Sequence, residues 1–207
     1  MENGSRSPFV LILSAPSGGG KTTVGQRLLE QSSRLKRVIT CTTRNPREGE
    51  VQGVDYFFLT PDDFDGRVHR GEFLEYANVF GKRYGTLKSE VLRLLNEGSD
   101  VLLIIDVQGA AQARRVFNED PVLHRALVTV FLTPPSQEEL EGRLRGRGTE
   151  AEEAVARRLA EAAQEIAQSA DFDYLVVSGT REEDLRRMQA IYEAEGLRRA
   201  RVHLRWE

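Results

Sequence analysis

The chain alternates between short, wholly apolar runs and longer stretches in which apolar residues recur every three or four positions. The runs at 9–14, 127–132 and 174–177 hold no charge, and the run at 101–106 holds one only at its end, Asp106. An uninterrupted apolar run of this length predicts a strand covered on both faces, because a strand with one wet face would alternate. Between these runs, helical spacing predicts helices at 22–31, 87–96, 109–117, 137–145, 150–167 and 182–195. Apolar strands alternating with helices predict an α/β fold: a parallel sheet with helices on both faces.

One region breaks the rhythm. Between 38 and 84 the apolar runs are shorter and mixed, at 38–42, 56–59 and 73–80, with turns at Gly49, Gly53 and Gly71 and a helix near 62–70. This reads as an insertion with a small sheet of its own.

Directly after the first strand come Ala15, Pro16, Ser17, Gly18, Gly19 and Gly20, then Lys21, Thr22 and Thr23. The segment fits the phosphate-binding pattern G-x-x-x-x-G-K-[ST] except at its first position, where Ala15 replaces glycine. Successive glycines let backbone N–H groups turn inward around phosphate oxygens. The following helix adds its positive N-terminal end. Lys21 can reach the β- and γ-phosphates, and the Thr22 hydroxyl can ligate Mg²⁺, a hard cation that prefers oxygen. The loop indicates a nucleoside triphosphate, and a phosphate-loop NTPase fold, but not which reaction follows.

A second basic cluster lies in the insertion. Arg34, Lys36, Arg37, Arg44 and Arg47 meet a single acid, Glu48, over 34–48. Arg44 and Arg47 flank Asn45 and Pro46, a rigid turn. Two guanidinium forks on one turn suit a phosphate monoester, although spacing alone is equally that of an exposed basic loop.

Here a resemblance becomes specific. Thr42, Thr43, Arg44, Asn45, Pro46, Arg47, Glu48, Gly49 and Glu50, followed by Gly53, Val54, Asp55 and Tyr56, resemble the T-T-R-x-P-R-x-G-E and G-x-D-Y signature of the guanylate kinase family. Further matches follow in order: Glu72 to Glu75, Tyr84-Gly85-Thr86, Asp106 to Gly109, Pro134-Pro135-Ser136, and the stretch from Arg143 to Glu150. The resemblance spans roughly 9–185.

It implies ATP as phosphoryl donor, GMP as acceptor, and one domain over 1–207. That domain would comprise a core (9–37, 88–139, 159–207), a GMP-binding region at about 38–87 and a lid at about 140–158. Arg44, Arg47, Tyr56 and Tyr84 would hold the GMP phosphate. Glu75 would accept hydrogen bonds from guanine N1–H and its amine. Thr40 and Thr86 would lie near the base, with Gly85 between the motif's tyrosine and threonine. Asp106 would approach guanine or serve the metal's outer shell. Lid arginines Arg143, Arg147 and Arg158 would join Lys21 in stabilising the phosphoryl group in flight, while Arg145 and Arg157 would pair with neighbouring acids. One departure stands out: many relatives carry an acid two residues before this aspartate, and here it is Ile104.

Composition narrows the picture. A net charge of -3 argues against a protein that coats nucleic acid. A single cysteine, Cys41, excludes an internal disulfide framework and makes a reducing compartment the default. No run is long enough to span a membrane. The expected setting is the cytoplasm, the partners are small-molecule substrates, and the chain reads as a monomer or small homo-oligomer. The polar start reads as a frayed tail, and Arg198, Arg199, Arg201 and Arg205 as a solvated helix end. The competing readings are another nucleotide or sugar-phosphate kinase of the same fold, and a non-catalytic peptide-binding module that shares it.

Overall fold

The computed structural model describes residues 4–79, 81–146 and 152–204. In chain order its elements are β1 (Gly4–Arg6), β2 (Val10–Ser14), α1 (Lys21–Gln31), β3 (Leu35–Arg37), β4 (Thr40–Thr42), β5 (Tyr56–Phe58), α2 (Pro61–His69), β6 (Phe73–Val79), β7 (Lys82–Leu87) and α3 (Lys88–Asn96). There follow β8 (Asp100–Ile104), α4 (Val107–Asn118), α5 (Pro121–Ala126), β9 (Leu127–Thr133), α6 (Gln137–Arg145), α7 (Glu152–Ala167), a 3₁₀ turn, β10 (Tyr174–Val177), α8 (Arg181–Gly196) and β11 (Val202–Leu204).

The central sheet has the order β10-β9-β2-β8-β3 and is parallel throughout. All five residues of β2 are buried. Phe9, Leu11 and Leu13 face one cluster, with Val24 and Leu28 of α1 and Met188 and Tyr192 of α8. Val10 and Ile12 face the other, with Val91 and Leu94 of α3 and Ala110, Ala113 and Phe117 of α4. The period of two thus divides one apolar run between two cores.

A second sheet, β5-β4-β7-β6, is formed by the insertion. Its packed face holds Cys41, Phe64, Phe73 and Leu87. Burial holds the Cys41 thiol up at about 11, so it packs as a small apolar residue.

Of the strand expected at 38–42 only Thr40–Thr42 is a strand, and a core strand that was not expected, β3, precedes it. Leu35–Arg37 pairs with β8 in the core, Thr40–Thr42 belongs to the insertion, and Val38 between them is buried in the α3/α4 core. β7 carries Tyr84, Gly85 and Thr86 and was legible only as a motif, since its alternation is short and interrupted by glycine. The helix expected at 150–167 begins among the described residues at Glu152, and Phe80 of the expected strand 73–80 lies outside them.

Both termini depart from expectation. β1 pairs with β11, so the start is not a frayed tail. Arg6 donates to Asp100 at 2.8 Å, and the Phe9 amide and Tyr192 hydroxyl serve the same carboxylate, which is fully buried. Arg201 is no solvated helix end either. It is 4% exposed, bonds Glu195 and lies 4.8 Å over the Phe9 ring. Arg205 lies outside the described residues.

Removing one partner of a buried pair leaves the other charge uncompensated. Asp100→Ala is expected to lower stability by about 3–5 kcal/mol in urea unfolding, and Arg27→Ala, which breaks an exposed pair with Glu182, by less than about 1 kcal/mol.

Candidate active site

β2 ends at Ser14, and the next six residues turn back into α1. Gly18 and Gly20 have φ of 88° and 94°, conformations costly for any side chain, and Gly20 is the N-cap of α1. Ala15 and Gly19 are buried against each other: a Cβ on Gly19 would lie 2.9 Å from that of Ala15. The methyl that replaces the pattern's first glycine is therefore accommodated by the glycine across the turn. Gly19 N–H donates to the Pro16 carbonyl at 2.8 Å, and Lys21 Nζ reaches back to the Ala15 carbonyl at 3.3 Å. Thr22 and Thr23 are exposed on the first turn of α1.

One member of this neighbourhood belongs to no motif. The carboxylate of Glu165, on α7, accepts from Ser17 N–H at 3.3 Å. Burial raises its pKa, opposed by the Ser17 amide and Lys21, while Asp106 adds repulsion.

The second sheet gathers the acceptor candidates on one face. Thr40 pairs with Tyr56, Thr42 with Tyr84, and Glu75 with Thr86, so alternation puts these side chains on the face opposite the insertion's core. A bulge between Phe73 and Glu75 decides this arrangement. Without it, Glu75 would oppose Gly85 on the packed face. With Leu74 as the extra residue, buried in the α3/α4 core, Glu75 opposes Thr86 instead. Gly85 contributes no side chain to this face, because a Cβ there would meet Phe73 at 2.8 Å and the Glu75 carbonyl at 2.9 Å.

Glu75 is 6% exposed and accepts from Thr86 Oγ1 at 2.6 Å. Burial, with repulsion from Asp106, pushes its carboxyl up to about 7 despite the threonine bond. Asp106 is the N-cap of α4, accepting from Gly109 N–H at 2.7 Å. Gly109 lies close beside the carboxylate: a Cβ there would stand 3.1 Å from Glu75 Oε2, so any side chain would push it aside. The Gln112 amide exchanges hydrogen bonds with the Tyr76 backbone at 3.1 and 3.0 Å and so pins β6 to α4. Ile104, the departure from the acidic pattern, is packed against α1, where a Cβ on Gly25 would lie 2.5 Å from it.

At the other end of the face, Arg44 makes a two-pronged contact with Glu50 at 2.9 and 2.8 Å and lies 5.5 Å over the Tyr56 ring. Tyr56 and Tyr84 meet edge-on at 6.2 Å. Glu50 also accepts from the Arg47 amide at 2.7 Å, and the two arginines hold its carboxyl down at about 2. The Arg47 side chain is exposed. Glu50 thus orients the basic turn, a role that the motif contained without revealing.

Of the lid candidates, Arg143 bonds Glu139 at 3.0 Å and the Ser178 hydroxyl at 3.3 Å. Arg158 lies half-buried on α7, and Arg147 lies outside the described residues. Arg145 pairs with Glu141 and Glu152, and Arg157 with Glu161.

The guanylate kinase family profile matches residues 7–195 of this sequence. The chain belongs to the guanylate kinase family. It is 43% identical over 197 residues to the guanylate kinase of Paramagnetospirillum magneticum, covering 95% of this chain and 89% of that one. It is 39% identical over 187 residues to that of Clostridioides difficile, covering 90% and 88%. The crystal structure of guanylate kinase from Anaplasma phagocytophilum superposes with a TM-score of 0.72 at 32% identity, covering 96% of this chain and 92% of that one. The parallel core with its phosphate loop is thus that of a phosphate-loop α/β fold within the guanylate kinase family.

A carboxyl whose folded pKa lies above its unfolded value binds more protons in the native state. Stability then falls as pH rises between the two values, here from about 4.5 to about 7. Glu75→Gln is expected to be more stable than wild type at pH 8, by up to about 3 kcal/mol, and to lose that advantage below pH ~4.5. Thr86→Val should raise the Glu75 midpoint further in a carboxyl-detected NMR titration.

Proposed function

We propose that this chain transfers the γ-phosphoryl group of ATP to GMP, giving ADP and GDP. The observation that carries the reading is one sheet face with a buried carboxylate at one end and an arginine–tyrosine cluster at the other. Guanine's Watson–Crick edge offers N1–H and an amine, two donors that a carboxylate accepts side by side, and O6, which a hydroxyl can serve. Adenine presents no such pair of donors and would leave Glu75 buried and unpaired. Sites built on such bonds discriminate by about 10⁴–10⁵-fold. Thr40, Thr86 and Asp106 complete the surroundings of the base. Asp106 reaches Glu75 by repulsion, and one of its oxygens is engaged in capping α4, so its part is to set the charge at the base rather than to hold a metal alone.

Arg44, Arg47, Tyr56 and Tyr84 hold the GMP phosphate, with Glu50 bonding Arg44 where it lies over the Tyr56 ring. ATP lies with its phosphates on Ala15 to Thr23 and Lys21 on the β- and γ-phosphates. An oxygen of the GMP phosphate attacks the γ-phosphorus, and the bond to the β,γ-bridging oxygen breaks as ADP leaves. The acceptor is already an anion, so no general base is needed. The protein's task is position and positive charge, supplied by Lys21, Arg143, Arg147 and Arg158.

Mg²⁺ would neutralise the β- and γ-oxygens when bound. Thr22, an exposed hydroxyl beside Lys21, fits a hard cation. Among the described residues no group of three or more His, Cys, Asp or Glu could hold a metal, so its other ligands would be phosphate oxygens and water. The GMP-binding region (38–87) and the lid (140–158) close inward on the substrates and exclude water, which would otherwise take the phosphoryl group. No helix of the described residues is long and apolar enough to cross a membrane, and cytoplasmic nucleotide metabolism is the setting we assign.

The test is a coupled ADP-release assay with ATP and Mg²⁺, offering GMP, AMP, UMP, CMP and dTMP in turn. Turnover is expected with GMP, falling at least about 10²-fold in Lys21→Ala and by a comparable factor in kcat/KM for GMP in Glu75→Gln. Equal turnover of AMP, or full activity in Lys21→Ala, would contradict the proposal. Silence with every nucleotide would favour a binding module.

A further inference from the structure

We propose that Glu165 is an internal rival of the donor's terminal phosphate, so that one exchangeable contact links occupancy of the phosphate loop to the position of α7. The inference rests on the reading of that loop as the ATP site. Ser17 N–H lies in the loop and points at the Glu165 carboxylate at 3.3 Å. That is long for an N–H···O bond, where about 2.7–3.2 Å is usual. Lys21 attracts the same carboxylate, while Asp106 and Glu161 repel it. It is held, but loosely. A phosphate oxygen entering the loop is an acceptor for the same N–H and the same lysine, and its charge repels the carboxylate further. The two cannot share the place.

The contact is not a local one, because both helices around 140–167 rest on the loop. A Cβ on Gly18 would lie 2.9 Å from Leu144 and 3.3 Å from Leu140 on α6. Leu140 and Leu144 pack in one cluster with Val155 and Ala162 of α7. Displacing Glu165 therefore frees a helix pair rather than a single side chain. Arg158 lies seven residues before Glu165 on α7, hence on the same helical face and about 10 Å away along the axis. Withdrawal of an acid and approach of an arginine are two ends of one helix displacement.

The experiment is calorimetric titration of ATP with Mg²⁺, without GMP, into the full chain and its variants. Glu165→Gln keeps the shape and removes the charge. It should bind ATP about 10-fold more tightly, within the usual range of such couplings, gain less for ADP, and leave GMP affinity within about twofold. Glu161→Gln, which removes a neighbouring exposed charge, should change ATP affinity by less than about twofold. Glu165→Asp, which keeps the charge but shortens its reach, should also bind ATP more tightly than wild type and provides the readout if the glutamine variant folds poorly. Unchanged or weaker ATP binding in these Glu165 variants, with Lys21→Ala still weakening it, would overturn the rivalry and leave the site reading standing. Undiminished ATP binding in Lys21→Ala would overturn both.

Discussion

Everything in this molecule hangs on the burial of β2 on both faces. A strand with no wet side cannot end in open water without exposing apolar surface, and it cannot end inside without stranding peptide groups. Here it ends at Ser14, at the rim of the sheet, and the peptide groups that follow must find acceptors. Gly18 and Gly20 take backbone conformations closed to other residues, and α1 begins at once with Lys21. The result brings a glycine-rich turn, the N-terminus of α1 and the Lys21 ammonium together at the end of one strand. A phosphate group is what such a point can hold. Loop and core are one constraint: Ala15 and Val24 belong to the same cluster as Leu11 and Leu13.

The acceptor side depends on a different constraint, one of register. Alternation sorts the insertion's sheet into a packed face and a face bearing polar groups, and a single extra residue, Leu74, decides on which side Glu75 falls. The same residue anchors β6 in the main core, while Gln112 fixes the strand's next turn of backbone to α4. Position and chemistry are therefore set together. A carboxylate at Glu75 is tolerable only because Thr86 bonds it and Gly109 leaves room beside it, and even so it is held near neutrality.

Most of this framework was readable from the order of residues, and what escaped has physical reasons. The continuous runs at 9–14, 101–106, 127–132 and 174–177 hold β2, β8, β9 and β10, although β8 stops at Ile104 and Asp106 already caps α4. The strand expected at 38–42 began two residues early because Val38, which is buried in the main core, reads as part of it, and β3 before it escaped because two of its three residues, Lys36 and Arg37, are charged and exposed. The terminal strands β1 and β11 escaped because each is only three residues long, too short for alternation to show, and Arg6 on Asp100 ties the pair to the core. Glu50 stood inside the motif, yet its work as the brace of Arg44 needs geometry. Glu165 carries no local signal at all. It lies on a charged helix among other acids, and only the approach of α7 to Ser17 sets it apart. The bulge at Leu74 is likewise a property of pairing, invisible in either strand alone.

On the proposed reading, a site for two polyanions also gathers three carboxylates, which looks at first self-defeating. Asp106 repels both Glu75 and Glu165, and each of the three would repel a phosphate. The arrangement is coherent because each acid has a separate restraint. Asp106 gives one oxygen to the cap of α4, where the helix end favours its charge. Burial leaves Glu75 only about half ionised near pH 7, so its full charge is worth having only when paired donors arrive to bond it. Glu165 is held by a long contact to an amide that a phosphate oxygen would contest. Acids placed in this way let an anion in only when it brings the interactions that displace or satisfy them. Indiscriminate attraction of small anions, the weakness of any purely cationic cleft, is thereby reduced by the groups to which the proposed function gives the choice of nucleotide.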